Sequence, residues 1–215
     1  MGADRHAGQT YDRIAGHFSQ TREYPWPEIE SFLEGRSGAV GLDLGCGNGR
    51  HAEVLAAHAD RVVGVDASTG LLAEAADRAT ERGFAVDLVA GDAGSIPLRA
   101  DAVDLAVYVA TLHHLRPRTR RLASLNELGR TLAPGGRALV SAWSTAHDRF
   151  VDEETDGSGL DTEIDWTLPG GDTVGRFYHV YDPREFEADL RASELALLEW
   201  ELSSGNCYAV VGPGE

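Results

Sequence analysis

Residues 43–49 read Asp43-Leu44-Gly45-Cys46-Gly47-Asn48-Gly49, directly after the apolar run Ala39-Val40-Gly41-Leu42. An apolar strand that ends in an acid and runs into Gly-x-Gly-x-Gly predicts a strand–turn–helix unit of an α/β fold, whose backbone a nucleoside-containing ligand can approach closely. A Cβ at Gly45 or Gly47 would collide with the turn or with that ligand. Dinucleotide-binding loops use Gly-x-Gly-x-x-Gly, which would place the last glycine at position 50. Here the glycine is Gly49 and position 50 is Arg50. Asp43, two residues before the first glycine, suits an ammonium group and not a pyrophosphate.

The ligand that meets these conditions is S-adenosylmethionine (SAM), with its amino-acid end and sulfonium charge. A glycine-rich turn without a ligand is the bland alternative, and the next two strands argue against it. Arg61-Val-Val-Gly-Val-Asp66 is a second strand ending in an acid, 21 residues after Gly45, a spacing that lets Asp66 reach ribose hydroxyls. Gly91-Asp92-Ala93 closes a third. With these three elements in order, the chain resembles class I SAM-dependent methyltransferases. That resemblance implies Asp92 and Ala93 at the adenine, and Tyr11, Asn48 and Ala110 among the cofactor contacts with Asp43, Gly45, Gly47, Gly49 and Asp66.

Strand and helix signals alternate outward from the loop. Strands are predicted at 39–44, 61–65, 84–90, 103–110 and 136–143, and helices at about 50–58, 69–82 and 119–132. Such alternation predicts a parallel sheet with helices on both faces. Upstream, Ile14, Ala15 and Phe18 lie at helical spacing in 12–20, and a second helix runs from Pro27 to Gly35. Residues 144–175 are polar, acidic and glycine-rich, which predicts a long loop or lid. A helix at 183–191 and strands at 195–203 and 206–211 follow, the strands joined by Ser204-Gly205 as an antiparallel hairpin. One domain over 1–215 is expected, with 1–36 as a helical cap.

The length fits one full core. No apolar run reaches membrane-spanning length, Met1-Gly-Ala-Asp-Arg-His6 does not read as a signal peptide, and Cys46 and Cys207 give no disulfide or zinc framework. A soluble cytoplasmic protein without a metal is the expectation. Net charge is -16 and all 19 basic residues are arginine, a composition similar to that of proteins from halophilic, salt-adapted cytoplasms. Overall acidity opposes nucleic-acid binding. The distribution softens this, because 116–130 carries five arginines against the single acid Glu127, while 148–165 carries eight acids and only Arg149.

Further segments narrow the family. Tyr11-Asp-Arg-Ile-Ala-Gly-His-Phe-Ser-Gln-Thr-Arg22, Trp26-Pro27, His113-His114-Leu115, Arg120-Arg121 and Tyr178-His179-Val180-Tyr181 occur in one order with the glycine loop. Together they resemble the tRNA methyltransferases that esterify 5-carboxymethyluridine at the wobble position, including the methyltransferase domain of the AlkB-homologue tRNA enzyme. The resemblance implies a Rossmann-like fold with a seven-stranded, mostly parallel sheet and a C-terminal antiparallel hairpin. It also implies Arg22, His113 and Asn206 around the acceptor carboxylate, and Trp26, Arg118, Arg120, Arg121, Trp166 and Tyr208 along the tRNA anticodon region. Tyr11 and Phe18 would close over the cofactor. A heterodimer is implied too: a small zinc-binding activator protein would add strands to the edge at Phe84, Val86 and Leu88. Two motifs depart from the family, which has Asp-Asn-Trp-Tyr where this chain has Gly205-Asn206-Cys207-Tyr208, and Pro-Trp where it has Asp165-Trp166. The lost aromatic removes a stacking platform worth about 1–3 kcal/mol per base.

No nucleophile or general-base constellation is visible, and methylation of a carboxylate needs none, since that group is already an anion near neutral pH. Alignment alone supplies roughly 7–11 kcal/mol. Duller roles compete. His113 could satisfy backbone, His114 could be structural, Arg22 could pair with Glu23 or Glu28, and Asn206 could be a turn residue. A small-molecule SAM methyltransferase and a non-catalytic SAM-binding partner protein are the alternative functions.

Overall fold

Apolar runs become strands because their β-branched side chains fill both faces of a buried sheet. A computed structural model describes residues 4–150 and 157–214. Its strands are β1 (Gly38–Leu44), β2 (Ala59–Asp66), β3 (Asp87–Ala90), β4 (Val103–Tyr108), β5 (Leu132–Trp143), β6 (Leu160–Thr167), β7 (Thr173–Val180), β8 (Leu195–Ser203) and β9 (Asn206–Pro213). The helices are α1 (Asp4–Gln20), α2 (Pro27–Leu33), α3 (Arg50–Leu55), α4 (Thr69–Arg82), α5 (Arg118–Thr131) and α6 (Pro183–Ala192). Seven strands form one sheet in the order β3-β2-β1-β4-β5-β9-β8. Pairs from β3 to β5 are parallel, and β9 runs antiparallel to both β5 and β8. The expected sheet and C-terminal hairpin are thus present. Connections reverse direction between β1 and β4, which opens a crevice at their C-terminal ends.

The sheet is sandwiched by two apolar layers. On one face Leu125 and Leu128 of α5 and Phe186 and Leu190 of α6 pack with Tyr108 and Tyr181. On the other, Ile29, Phe32 and Leu33 of α2 and Leu55 of α3 cover Val62, Leu105 and Val107. α4 is capped at Ser68, whose hydroxyl oxygen accepts from the Leu71 N–H, and ends on Gly83. The same hydroxyl donates to Asp12 Oδ1 at 2.7 Å, and the Gly70 N–H donates to that oxygen at 2.8 Å, so α1 is fastened across the mouth of the sheet.

Two expectations are corrected. The edge strand β3 begins only at Asp87, so Phe84 and Val86 precede it, and both pack partly buried against the α2–α3 layer. Residues 144–175 are not one loop. Leu160–Thr167 and Thr173–Val180 pair as an antiparallel ribbon beside α1. Ile164 and Trp166 of β6 and Val174, Tyr178 and Val180 of β7 are buried, while Asp161, Glu163 and Asp165 are exposed. This is the period-2 alternation of a half-buried strand, which the acidic outer face disguised. Residues 151–156 of the expected lid and 1–3 of the expected cap lie outside the described residues. Among the described residues no helix is long and apolar enough to cross a membrane.

Candidate active site

The crevice holds a partly open cavity. Gly45, Gly47 and Asn48 form its floor, and Asp66, Asp92, Ala93 and Ala110 line it at the ends of β2, β3 and β4. Tyr11 and Phe18 of α1 complete the wall. Gly45 (φ 73°) and Gly47 (φ 54°) occupy the left-handed region, and an added Cβ at Gly45 would lie 2.2 Å from Thr111 Oγ1. Ala110 also has φ 54°, an uncommon conformation for a non-glycine residue that tends to cluster at functional sites. The loop is held from beneath, where Asp66 Oδ2 accepts from the Gly47 N–H and Oδ1 from the Ser68 N–H, both at 2.8 Å. Burial raises the Asp66 pKa, and these donors oppose that shift. Asn48 Nδ2 donates to the Arg22 carbonyl at 2.9 Å, joining the loop to the segment after α1.

Two loop residues expected at the cofactor lie behind the wall. Gly49 caps α3 at φ 77° and backs onto Ala75. Asp43 is 1% exposed, and burial lifts its pKa to about 7 against the Ala52 N–H it accepts from. Asp43 Oδ2 and His51 Nε2 are buried without hydrogen-bond partners among the described residues, and His51 faces the cavity. A site with an orphaned polar atom, ribose- and adenine-level carboxylates and a glycine floor fits SAM.

The expected acceptor residues divide. His113 is buried with its Nδ1 accepting from the Trp143 N–H at 3.0 Å, and it does not line the cavity. Its neighbour His114 does. Its Nδ1 lies 2.8 Å from the Phe177 carbonyl, so Nδ1 carries the proton and Nε2 accepts from the Tyr11 hydroxyl at 2.9 Å. Burial lowers the His114 pKa to about 4, so the ring is neutral. Arg22 stacks over Phe18 and Trp166 at 5.6 and 5.4 Å, one layer behind the wall. Asn206 lies outside the cavity and donates to the Ser204 carbonyl within its own turn.

The substrate-side expectations change most. Trp166 is buried, with its Nε1 donating to His17 Nδ1 at 3.0 Å. Trp26 meets Tyr208 and His51 edge-on behind Arg50. Arg118 pairs with buried Asp189 at 2.5 Å, Arg120 with Asp92 at 2.5 Å, and buried Arg121 with Glu185 at 3.3 Å. These three brace α5 against α6 and the adenine end of the cavity, so each already has a carboxylate partner within the fold. Sequence reasoning missed Arg176, a buried cation on the apolar face of β7. Its signal was a charge at an inward position of Val174-x-Arg176-x-Tyr178-x-Val180.

A family model described as a methyltransferase domain matches residues 42–140. The tRNA (carboxymethyluridine(34)-5-O)-methyltransferase ALKBH8 of Mus musculus is 39% identical over 142 residues, 65% of this chain and 20% of that protein. The tRNA (carboxymethyluridine(34)-5-O)-methyltransferase of Schizosaccharomyces pombe is 32% identical over 161 residues, 74% of this chain and 67% of that protein. The chain therefore spans only a fifth of the mouse protein but two thirds of the yeast one. In fold it is similar to a DhpI–SAM–HEP complex (TM-score 0.75, 22% identity, 99% of each chain). It is also similar to a methyltransferase complexed with the Trm112 activator of Haloferax volcanii (TM-score 0.70, 15% identity, 97% of this chain and 98% of that one). With that sequence kinship and a SAM-shaped crevice at the β1–β4 switch point, the chain belongs to the tRNA (carboxymethyluridine(34)-5-O)-methyltransferase family of class I SAM-dependent methyltransferases.

Proposed function

We propose that the protein transfers the SAM methyl group to the carboxylate of 5-carboxymethyluridine at the tRNA wobble position. One observation supports this reading beyond kinship: neither of the two imidazoles lining the cavity is a ready general base, since burial and the nearby Arg50 and Arg78 hold His51 well below its ordinary pKa and His114 is engaged at both ring nitrogens. His114 is neutral, but its Nδ1 proton is held by a carbonyl and its Nε2 lone pair by Tyr11. An acceptor that must first lose a proton is poorly served, whereas a carboxylate is already ionised. Its oxygen attacks the sulfonium methyl in line. The O–C bond forms as the C–S bond breaks, the electron pair passes to sulfur, and no proton moves. Glycine floor, α1 roof and buried walls supply alignment and exclude water.

Strand β3 is the natural seat for a small zinc-binding activator, since it is a four-residue edge with unpaired backbone. The Haloferax volcanii complex supports this reading. Leu88 of the strand packs toward Gly64 of β2, and Phe84 and Val86 lean into the core. Backbone pairing, more than an apolar face, would therefore carry the contact. A halophilic, cytoplasmic setting agrees with the charge of -16.

The test is mass spectrometry of tRNA nucleosides from cells lacking the gene beside their parent. Loss of the wobble methyl ester with build-up of the free acid or amide is expected. An unchanged profile would leave a SAM methyltransferase with a small-molecule acceptor, or a SAM-binding partner protein.

A further inference from the structure

A second cavity adjoins the cofactor cavity and shares Tyr11 and His114 with it. Its other walls include Arg176, Phe177, Arg116 and Glu163. Arg176 points inward between Val174 and Tyr178, on the face where the ribbon buries apolar side chains. It is 8% exposed and stacks on Trp166 at 4.7 Å and Tyr178 at 5.1 Å. Nη1 donates to the Tyr178 hydroxyl at 2.6 Å and reaches the Tyr11 hydroxyl at 3.5 Å. Its Nε has no acceptor, and no carboxylate lies within ion-pair distance of its guanidinium, among the described residues. Buried Arg121 by contrast has Glu185. In a chain with 35 acids, a buried guanidinium left without one is a vacancy for an anion. Glu163 lines the same cavity without pairing to Arg176, and Arg116, exposed and stacked over Phe177 at 4.7 Å, adds a second cation.

We infer that this second cavity receives the acceptor and that Arg176 binds its carboxylate, replacing Arg22, His113 and Asn206 in the role the family resemblance implied for them. The inference rests on the carboxyl-methylation reading above. The planar guanidinium, stacked on two rings, offers its remaining Nη–H groups to a carboxylate, a charge-assisted pairing that arginine favours. Tyr11 and His114 line both cavities and so mark their junction, where acceptor and methyl donor would meet. A neutral acceptor of the same shape, such as the corresponding amide, would leave the cation unanswered, so the site selects the acid.

The experiment uses the full chain saturated with S-adenosylhomocysteine (SAH) and titrated calorimetrically with 5-carboxymethyluridine and with its neutral amide, 5-carbamoylmethyluridine. Wild type, Arg176→Met and Arg176→Lys are compared, with SAH affinity and melting temperature recorded for each. Wild type should favour the acid by roughly 10- to 100-fold, the worth of a charge-assisted contact. R176M should abolish that preference while amide and SAH binding persist, and R176K should restore part of it. A preference undiminished in R176M overturns the inference. So does parallel loss of acid, amide and SAH binding in R176M with no preference regained in R176K, which marks a structural residue. If wild type esterifies wobble uridine in tRNA and R176M keeps its preference, the inference falls and the function stands. If wild type selects the acid through Arg176 but modifies no tRNA, the inference stands and the tRNA reading falls. A wild type indifferent to acid or amide overturns the inference, and the tRNA nucleoside profile alone decides the function.

Discussion

Alanine at Gly45 and alanine at Gly47 should fail in different ways, although the residues are two apart and both have positive φ. At Gly45 the new Cβ would lie 2.2 Å from Thr111 Oγ1, 2.4 Å from Cγ2 and 2.7 Å from Cβ, so no rotamer of Thr111 relieves the clash. Left-handed strain of roughly 1–2 kcal/mol and overpacking of roughly 1–3 kcal/mol add to about 3.5 kcal/mol. For a chain of this size that lowers Tm by about 10 °C. At Gly47 the nearest atom is Phe18 Cε1 at 3.8 Å, so only the strain is felt, and Tm falls by about 4 °C. The Gly47 methyl instead projects toward Phe18, which also lines the cavity. G47A should therefore remain folded and lose SAH affinity, while G45A loses stability first. Calorimetric SAH titration and thermal unfolding of both variants test this. Equal Tm shifts, or a G47A variant that binds SAH like wild type, would refute the account of the floor.

Two further outcomes follow from the buried charges. Arg121→Met should destabilise the fold by about 1–3 kcal/mol, because it leaves the largely buried Glu185 with His179 alone as side-chain partner; urea unfolding reads this, and a variant that melts normally but binds tRNA weakly would make Arg121 an RNA contact after all. Asp43 sets a pH dependence that Asp43→Asn isolates. Its folded pKa of about 7 exceeds the unfolded value of about 3.9, so its proton is retained on folding, and the stability this contributes is lost as pH rises from about 4 through 7. The buried neutral histidines oppose it: the lowered pKa of His114 makes acidification below about 6.5 destabilising. Subtracting the D43N stability curve removes the histidine contribution. Wild type should gain on D43N toward pH 5 and fall behind it toward pH 8, by at most about 4 kcal/mol in all. A flat difference would refute the buried-acid assignment.

The positions of the core strands, the glycine floor and the acids at the ends of β2 and β3 were legible in the sequence. Each is fixed by a local rule, an apolar run buried on both faces or a backbone angle that only glycine accepts readily. Tyr11, Asn48 and Ala110 came from family likeness, and the fold brings them to the same cavity. Which histidine faces the cavity was not legible. His113 and His114 differ by one position on a short 3-10 turn, and only packing against Trp143 and Phe177 separates their roles. The arginines of α5 looked free because sequence shows charge and not the Glu185 or Asp189 that α6 brings opposite. The β6–β7 ribbon was hidden because its outer face carries acids, and its inward alternation has meaning only once α1 and its neighbours supply something to pack against. Sequence alone thus determined the core strand segments and the cofactor loop, whose causes lie within a few residues of chain. Tertiary structure decided which charges are answered and which, like Arg176, are not, because charge compensation depends on distances between segments far apart in sequence.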